Sequence, residues 1–258
     1  MTSILPAEPH KPRIRLWAVL FWLLLWQLAS MAIDQQILLV SPLRVLNRLV
    51  HLGITAEFWR AIANTMLRIV LGFSLGAVLG TVLAGLSVRF SRVDELLAPM
   101  MLAVKAIPVA SFIILALILF SSKNLAVLIS FLMVLPVLYT NVLEGIRAAD
   151  RQMMEMAQVF EIPLGRRIRY LYIPQVFPYL RSGCMAGLGM SWKSGVAAEV
   201  IGIPAMSIGE QLYNAKVYFD TPDLLAWTLV IVLASLVFER LFGLLLRQLQ
   251  LWTERMAP

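Results

Sequence analysis

An all-α integral membrane protein of about six transmembrane helices, with one amphipathic cytoplasmic helix between the fourth and fifth spans, is the fold class this sequence predicts. Three observations predict it. Hydrophobic residues make up 60% of the chain and charged ones 14%, and the mean hydropathy of +0.82 exceeds what a water-exposed domain carries without large apolar patches. The apolar residues fall into separate runs of about twenty, the length a helix needs to cross roughly 30 Å of hydrocarbon. Past the midpoint, the amphipathic, Arg-rich stretch "EMAQVFEIPLGRRIRYLYIP", Glu155 to Pro174, interrupts these runs.

The first span is expected at Leu16 to Ile33, behind Lys11, Arg13 and Arg15. The run ends near Ser30 to Ala32, so a cleaved signal peptide is the alternative, but its length favours a retained helix. The second span, Leu67 to Val88, carries Gly72, Gly76, Gly80 and Ala84 every four residues, a small-residue stripe that lets another helix approach closely. Spans three, Ala98 to Phe120, and four, Leu125 to Leu143, contain Pro108 and Pro136. Each proline is expected to interrupt its helix, as a hinge or as a simple kink. The fifth, Gly183 to Ile203, is the least apolar because it holds Lys193 and Glu199, and the sixth is Leu224 to Leu246. The single cysteine, Cys184, sits inside an apolar run and reads as a packed thiol.

Orientation follows from the Lys and Arg of the short connections, which are retained on the cytoplasmic side. With the N-terminus inside, the inner segments hold Arg89, Arg92, Arg147, Arg151, Arg166, Arg167, Arg169 and Arg181, besides the basic residues of both tails. The outer segments hold only Arg44, Arg48, Arg60, Lys123 and Lys216. Both termini are then cytoplasmic, and the net charge of +7 reflects inner-face bias rather than nucleic-acid binding.

The connection between spans four and five has its own structure. Ala149, Met153, Met156, Ala157 and Phe160 recur at helical spacing, with Asp150, Arg151, Gln152, Glu155 and Gln158 on the other side. Arg151 and Glu155 form a weak i,i+4 pair, and Pro163, Leu164 and Gly165 are expected to stop the helix with turn chemistry. Such a helix either lies on the lipid surface, with Arg166, Arg167 and Arg169 at headgroups, or docks into the groove of a cytoplasmic partner.

Charged residues inside spans are informative because each costs about 2.5–3.5 kcal/mol on insertion scales unless it finds a partner or water. Arg68 and Lys105 lie near enough to span ends to snorkel. Lys193 is near mid-span, so it faces a cavity or an ion partner, and Ser191 and Ser194 stand beside it. Glu199 is six residues further on, about 120° round the helix, and is not its natural same-helix partner. An inter-helix or inter-subunit pair and a pathway role are both open for it.

Here the chain resembles the membrane permeases of bacterial ABC importers, whose cytoplasmic loop carries E-A-A, three residues, G, nine residues, I-x-L-P. Glu155 takes the glutamate position, Met156 and Ala157 the alanines, Glu161 the glycine, Leu171 the isoleucine, Ile173 the leucine and Pro174 the proline. Met156 and Glu161 depart from the pattern, and Pro163 and Gly165 are expected to supply the bend instead. "TMLRIVLGFSLGAVLG", "SWKSGVAAEVIG" and "YFDTPDLLAWTLVIVLASLVFERLF" look like segments of the nitrate, sulfonate and taurine branch. The likeness covers roughly residues 40–250.

The resemblance implies a tail, first span and external segment at 1–60, a five-helix permease domain at 61–250 and a cytoplasmic tail at 251–258. It also implies a homodimer in the bacterial inner membrane with two cytoplasmic ATPase subunits and an external substrate-binding protein. Met153, Glu155, Met156, Ala157, Phe160, Glu161, Gly165 and Pro174 would belong to the ATPase-coupling loop. Arg68, Ser191, Lys193, Ser194 and Glu199 are the candidates for a path carrying a small, anionic solute. The sequence has no G-x-x-x-x-G-K-[ST] loop to cradle phosphates, so ATP hydrolysis belongs to the partner. No cofactor or metal is expected, His10 and His51 reading as surface residues. An ion-coupled secondary transporter or a channel is the alternative, and it leaves the amphipathic loop without a purpose.

Overall fold

The computed structural model describes residues 16–33 and 39–254, and every regular element among them is helical. The first helix, α1, spans Leu16–Ile33, as expected. A short helix not expected from the sequence, α2 (Pro42–Gly53), follows with proline in its first turn, where the missing N–H costs nothing.

The second span is only the later part of a longer helix, α3 (Ala56–Arg89). Its earlier start has a local cause: Thr55 accepts the Phe58 N–H through its hydroxyl, and Glu57 sits in the first turn, both favourable at a helix N-terminus.

The third apolar run is not one straight span. It forms α4 (Ser91–Ala106) and α5 (Val109–Leu119), which meet at 105°. Pro108 stands at the N-cap of α5, where its ring forbids continuation of α4. Pro136, by contrast, lies inside an unbroken α6 (Ser122–Arg147), and its own carbonyl takes a hydrogen bond from the Thr140 hydroxyl. Only one of the two expected breaks exists.

After α6 come α7 (Arg151–Val159), the single turn α8 (Leu164–Arg167), a π-helical turn (Ile168–Tyr172) and α9 (Ile173–Gly202). The wide turn directly precedes Pro174. A proline clashes with the carbonyl four residues back, and the i,i+5 bond from the Ile173 N–H to the Ile168 carbonyl opens the turn enough to admit it. The chain closes with α10 (Ile208–Val217) and the long α11 (Thr221–Glu254).

The core is α6, sandwiched along its length by α3 and α9. The small-residue stripe of α3 makes that approach possible: a Cβ on Gly76 or Gly80 would lie 2.9 Å from the carbonyl oxygen of Phe131 or Leu135 on α6. Gly72, Gly76, Gly80 and Ala84 are all buried there. Because lipid is as apolar as leucine, close backbone contact of this kind replaces the hydrophobic drive of a water-soluble core. Cys184 is buried in a cluster with Phe73, Val134, Leu138 and Leu188.

Four described helices, α1, α3, α6 and α11, are long and apolar enough to cross a membrane, and the bent pair α4 and α5 makes up to five. The expected fifth span, α9, is outside that set because Arg181, Lys193 and Glu199 interrupt its apolar character. It is nonetheless the helix that α3, α6 and α11 all contact. The structure thus supports four or five spans by length and composition where six were expected.

Candidate functional site

Two places hold the sequence-predicted residues, and they lie toward opposite ends of the bundle. The first is α7 and the turn behind it. Asp150 caps α7, its carboxylate accepting the Gln152 and Met153 N–H groups, and the side-chain carbonyl of Gln175 accepts the Asp150 N–H at 2.7 Å. The cap therefore ties α7 to the start of α9. Arg151 and Glu155 pair at 2.9 Å but are largely exposed, so the pair contributes little.

The C-terminus of α7 is set by Glu161, at φ 52°. The Glu161 N–H donates to the Gln158 carbonyl at 3.1 Å and the Ile162 N–H to the Ala157 carbonyl at 3.0 Å, the paired bonds of a Schellman stop. Left-handed backbone is where glycine is favoured, so the position at which this chain departs from the motif's glycine keeps the conformation that glycine serves. Pro163 and Gly165 do not make the bend: Pro163 precedes α8, and Gly165 lies within it without a positive φ. The Arg167 guanidinium then donates to the Ile162 carbonyl at 2.6 Å, and Pro174 lies in the first turn of α9.

Of the α7 residues only Ala157 is buried. Met153, Met156 and Phe160 are exposed, joined by Val159 and Leu164, with Val159 at 80% and Phe160 at 73%. Val159 and Leu164 were missed because they fall off the apolar stripe that the sequence suggests. The result is a well-capped helix whose apolar side no described helix covers.

The second place joins α3, α9 and α10. Glu199 is fully buried, and its carboxylate accepts the Thr65 hydroxyl at 2.6 Å, the Arg68 guanidinium at 2.9 Å and the Gly209 N–H at 3.4 Å. The Thr65 oxygen also accepts the Ile208 N–H at 3.0 Å. Arg68 and Glu199 are thus brought together as an inter-helix pair, whereas Lys193 and Glu199 are not. Thr65 went unnoticed because a lone threonine in an apolar run carries no signal of its own.

Ser191 and Ser194 are buried on α9, and their hydroxyls donate to the carbonyls of Leu188 and Met190 one turn back. Lys193 points the other way. It is exposed, has no hydrogen bond or ion pair among the described residues, and shares one face of α9 with exposed Ser182, Ala186, Gly189 and Met190. Lys105, the other cation singled out from the sequence, donates to the Thr140 hydroxyl at 2.8 Å.

A further network escaped the sequence because its members are far apart in the chain. Asp94 of α4 accepts Arg147 at 2.6 Å and the Tyr139 hydroxyl at 3.1 Å, and Tyr139 also bonds Ser87 at 3.0 Å. It fastens α3, α4 and α6 together at the end that carries α7.

Among the described residues, then, a bundle of long apolar helices carries one amphipathic helix, α7, left uncovered between two core helices. The profile of the family described as binding-protein-dependent transport system inner membrane component matches residues 76–251. The chain belongs to this family, the membrane permeases of ABC importers. A Bacillus subtilis (strain 168) protein named as an aliphatic sulfonates transport permease is 25% identical, over 88% of this chain and 83% of its own length. The taurine transport system permease protein of Escherichia coli (strain K12) is 24% identical over 88% and 84%. The riboflavin transport system permease protein of Chloroflexus aurantiacus is 27% identical over 98% and 99%.

Proposed function

We propose that this permease forms, with a second copy of itself, the membrane path of an ATP-driven importer whose ATPase subunits grip α7 from the cytoplasm. The observation that carries this reading is the uncovered apolar side of α7, formed by Met153, Met156, Val159 and Phe160. A helix held at both ends by its own caps, yet buried through Ala157 alone, is built to fill a groove supplied by another protein. A helix gripped this way passes the closure of its partner to α6 and α9, the core helices on either side of it, as a rigid-body movement. Glu155, Glu161, Gly165 and Pro174 shape the segment, and Met156 and Phe160 anchor it.

In this reading α1, α3, the α4–α5 pair, α6, α9 and α11 are the six spans. The basic end that carries α7 and both termini are cytoplasmic, and an external binding protein delivers solute at the opposite end. The exposed face of α9 around Lys193 lines the path, and an unpaired cation there favours a small anion. The sulfonate and taurine relatives fit such a solute; the riboflavin relative is a reminder that the delivering protein does much of the selecting. The Arg68–Glu199 pair, with its carboxylate buried and Ser191 and Ser194 on the same helix as Glu199, supports that path from behind.

Purifying the tagged chain in mild detergent and identifying its companions by mass spectrometry tests the assembly. A nucleotide-binding ATPase in about equal amount is the expected result. A chain that comes alone and transports without ATP would instead mark an ion-coupled carrier or a channel. Lys193→Met tests the path: uptake of an anionic substrate should fall while ATPase binding is kept, and unchanged uptake and preference would remove Lys193 from it.

A further inference from the structure

Helix α2 is too short to cross a bilayer, about 18 Å for its twelve residues, and it carries two apolar faces rather than one. Pro42 and Val45 are buried, with Leu49 and Leu52 partly so, against Ala226 and Trp227 at the start of α11 and Trp26 of α1. Arg48 fixes the same contact by pairing with Asp223 at 2.6 Å. Roughly 100° round the helix, a second row remains uncovered: Leu43 at 70% exposure, Leu46 at 51%, Val50 at 63% and, just past the end, Ile54 at 80%. The third side is polar, with exposed Arg44, Asn47 and His51.

From this division we infer that α2 lies flat in the headgroup–acyl boundary of the bilayer, at the end opposite α7. Leu43, Leu46, Val50 and Ile54 enter the acyl region, and Arg44 and His51 reach lipid phosphates. Two features favour lipid over a protein occupant. The uncovered row stands beside helices that are themselves apolar and open, since α2 packs on α1 and α11, α1 has no buried residue and α11 exposes Val232, Leu236 and Val237. Arg44 and Arg60 beside it complement anionic headgroups, while Trp59, exposed one turn into α3 with its indole N–H on the Gly53 carbonyl at 2.9 Å, suits the same boundary. Three Arg residues on the outer face, Arg44, Arg48 and Arg60, then gain a use: Arg48 is neutralised by Asp223, and Arg44 and Arg60 hold the helix at the surface. The inference rests on α3 and α11 spanning the membrane.

The test is spin labelling of the full chain in Cys184→Ala background, in vesicles of phosphatidylethanolamine and phosphatidylglycerol. Labels at Leu46→Cys and Val50→Cys are compared with Asn47→Cys and His51→Cys, using oxygen and a water-soluble nickel chelate as collision probes. The expected result is high oxygen and low nickel accessibility at residues 46 and 50, reversed at 47 and 51. Low accessibility to both probes with spin–spin broadening at 46 and 50 would place a second copy on this face and overturn the inference. Nickel access at all four sites would leave α2 in water and overturn it as well. A label at Leu236→Cys on α11 reports separately whether the spanning helix meets lipid, so failure of that premise is recognised for what it is.

Discussion

The loop between α9 and α10 and the turn behind α7 use the same backbone device and secure it in opposite ways. Both force non-glycine residues into left-handed backbone: Ile203 at φ 47° and Met206 at φ 55° in the first, Glu161 at φ 52° in the second. Each such residue costs about 1–2 kcal/mol, and a β-branched isoleucine is the least suited of all. The α9–α10 loop is overdetermined from α3. Asn64 donates to the Met206 carbonyl and Arg68 to that of Ala205, Glu210 takes the Met206 N–H, and the Thr65–Glu199 pair takes two N–H groups of α10. The α7 turn has little beyond its own helix-end bonds and Arg167. Strain persists only where the surroundings hold it, so the first loop is held within this chain, and the docking proposed for α7 would give the second the contacts it has few of.

Breaking the well-held loop should give the largest effect. Arg68→Met leaves the Glu199 carboxylate buried without its cation, which costs about 3–5 kcal/mol. The apparent melting temperature of the detergent-purified protein should drop sharply, and adding Glu199→Gln should restore most of it, since removing both charges also removes the desolvation cost. A melting temperature unmoved by Arg68→Met would show that hydrogen bonds from Asn64 and Thr65 hold the loop unaided.

The α7 side should respond in reverse. Met156→Asp with Phe160→Asp changes residues that are already exposed, so insertion and melting of the permease stay as they were. ATP hydrolysis stimulated by loaded binding protein should be lost, because the groove would now have to bury two carboxylates. Normal stimulated hydrolysis would mean that α7 is not the docking element.

How much of this was legible beforehand differs between the two regions for a physical reason. The α7 helix was readable because amphipathic spacing is local: Met153, Met156 and Phe160 announce their face within three turns. Its stop was misplaced onto Pro163 and Gly165, since nothing in a glutamate advertises a positive φ. The α9–α10 loop was almost opaque. Arg68 and Glu199 are 131 residues apart, and each alone is only an awkward charge in an apolar run. The spans show the same division. α1 is a continuous apolar run and its ends were placed correctly, while α3 starts at Ala56 because a threonine cap and tertiary packing carry the helix through polar residues. Pro108 and Pro136 look alike in sequence, yet only Pro108 breaks its helix; α6 runs on unbroken through Pro136, where α3 and α9 pack along it from both sides. Helix α2 could have been found, since Pro42, Val45, Leu49 and Leu52 repeat at helical spacing behind a proline start.

The smallest effect is the sharpest test of the comparison. Glu161→Gly removes the left-handed penalty of about 1 kcal/mol and should raise the stability of the turn, against a rise in unfolded-chain entropy of similar size. The net shift in melting temperature is therefore close to zero, and the useful contrast is with Glu161→Val. Valine carries the full penalty with a branched side chain and none of the freedom, so it should loosen α7. Hydrogen exchange at the Ile162 amide, which donates to the Ala157 carbonyl, reads this directly: faster in Glu161→Val, unchanged or slower in Glu161→Gly. If α7 is completed by the ATPase, binding should pull the exchange of the valine variant back toward that of the parent chain. Equal exchange in both variants, free and bound, would mean that the turn is held by contacts other than its own backbone, and the difference between the two ends of the molecule would disappear.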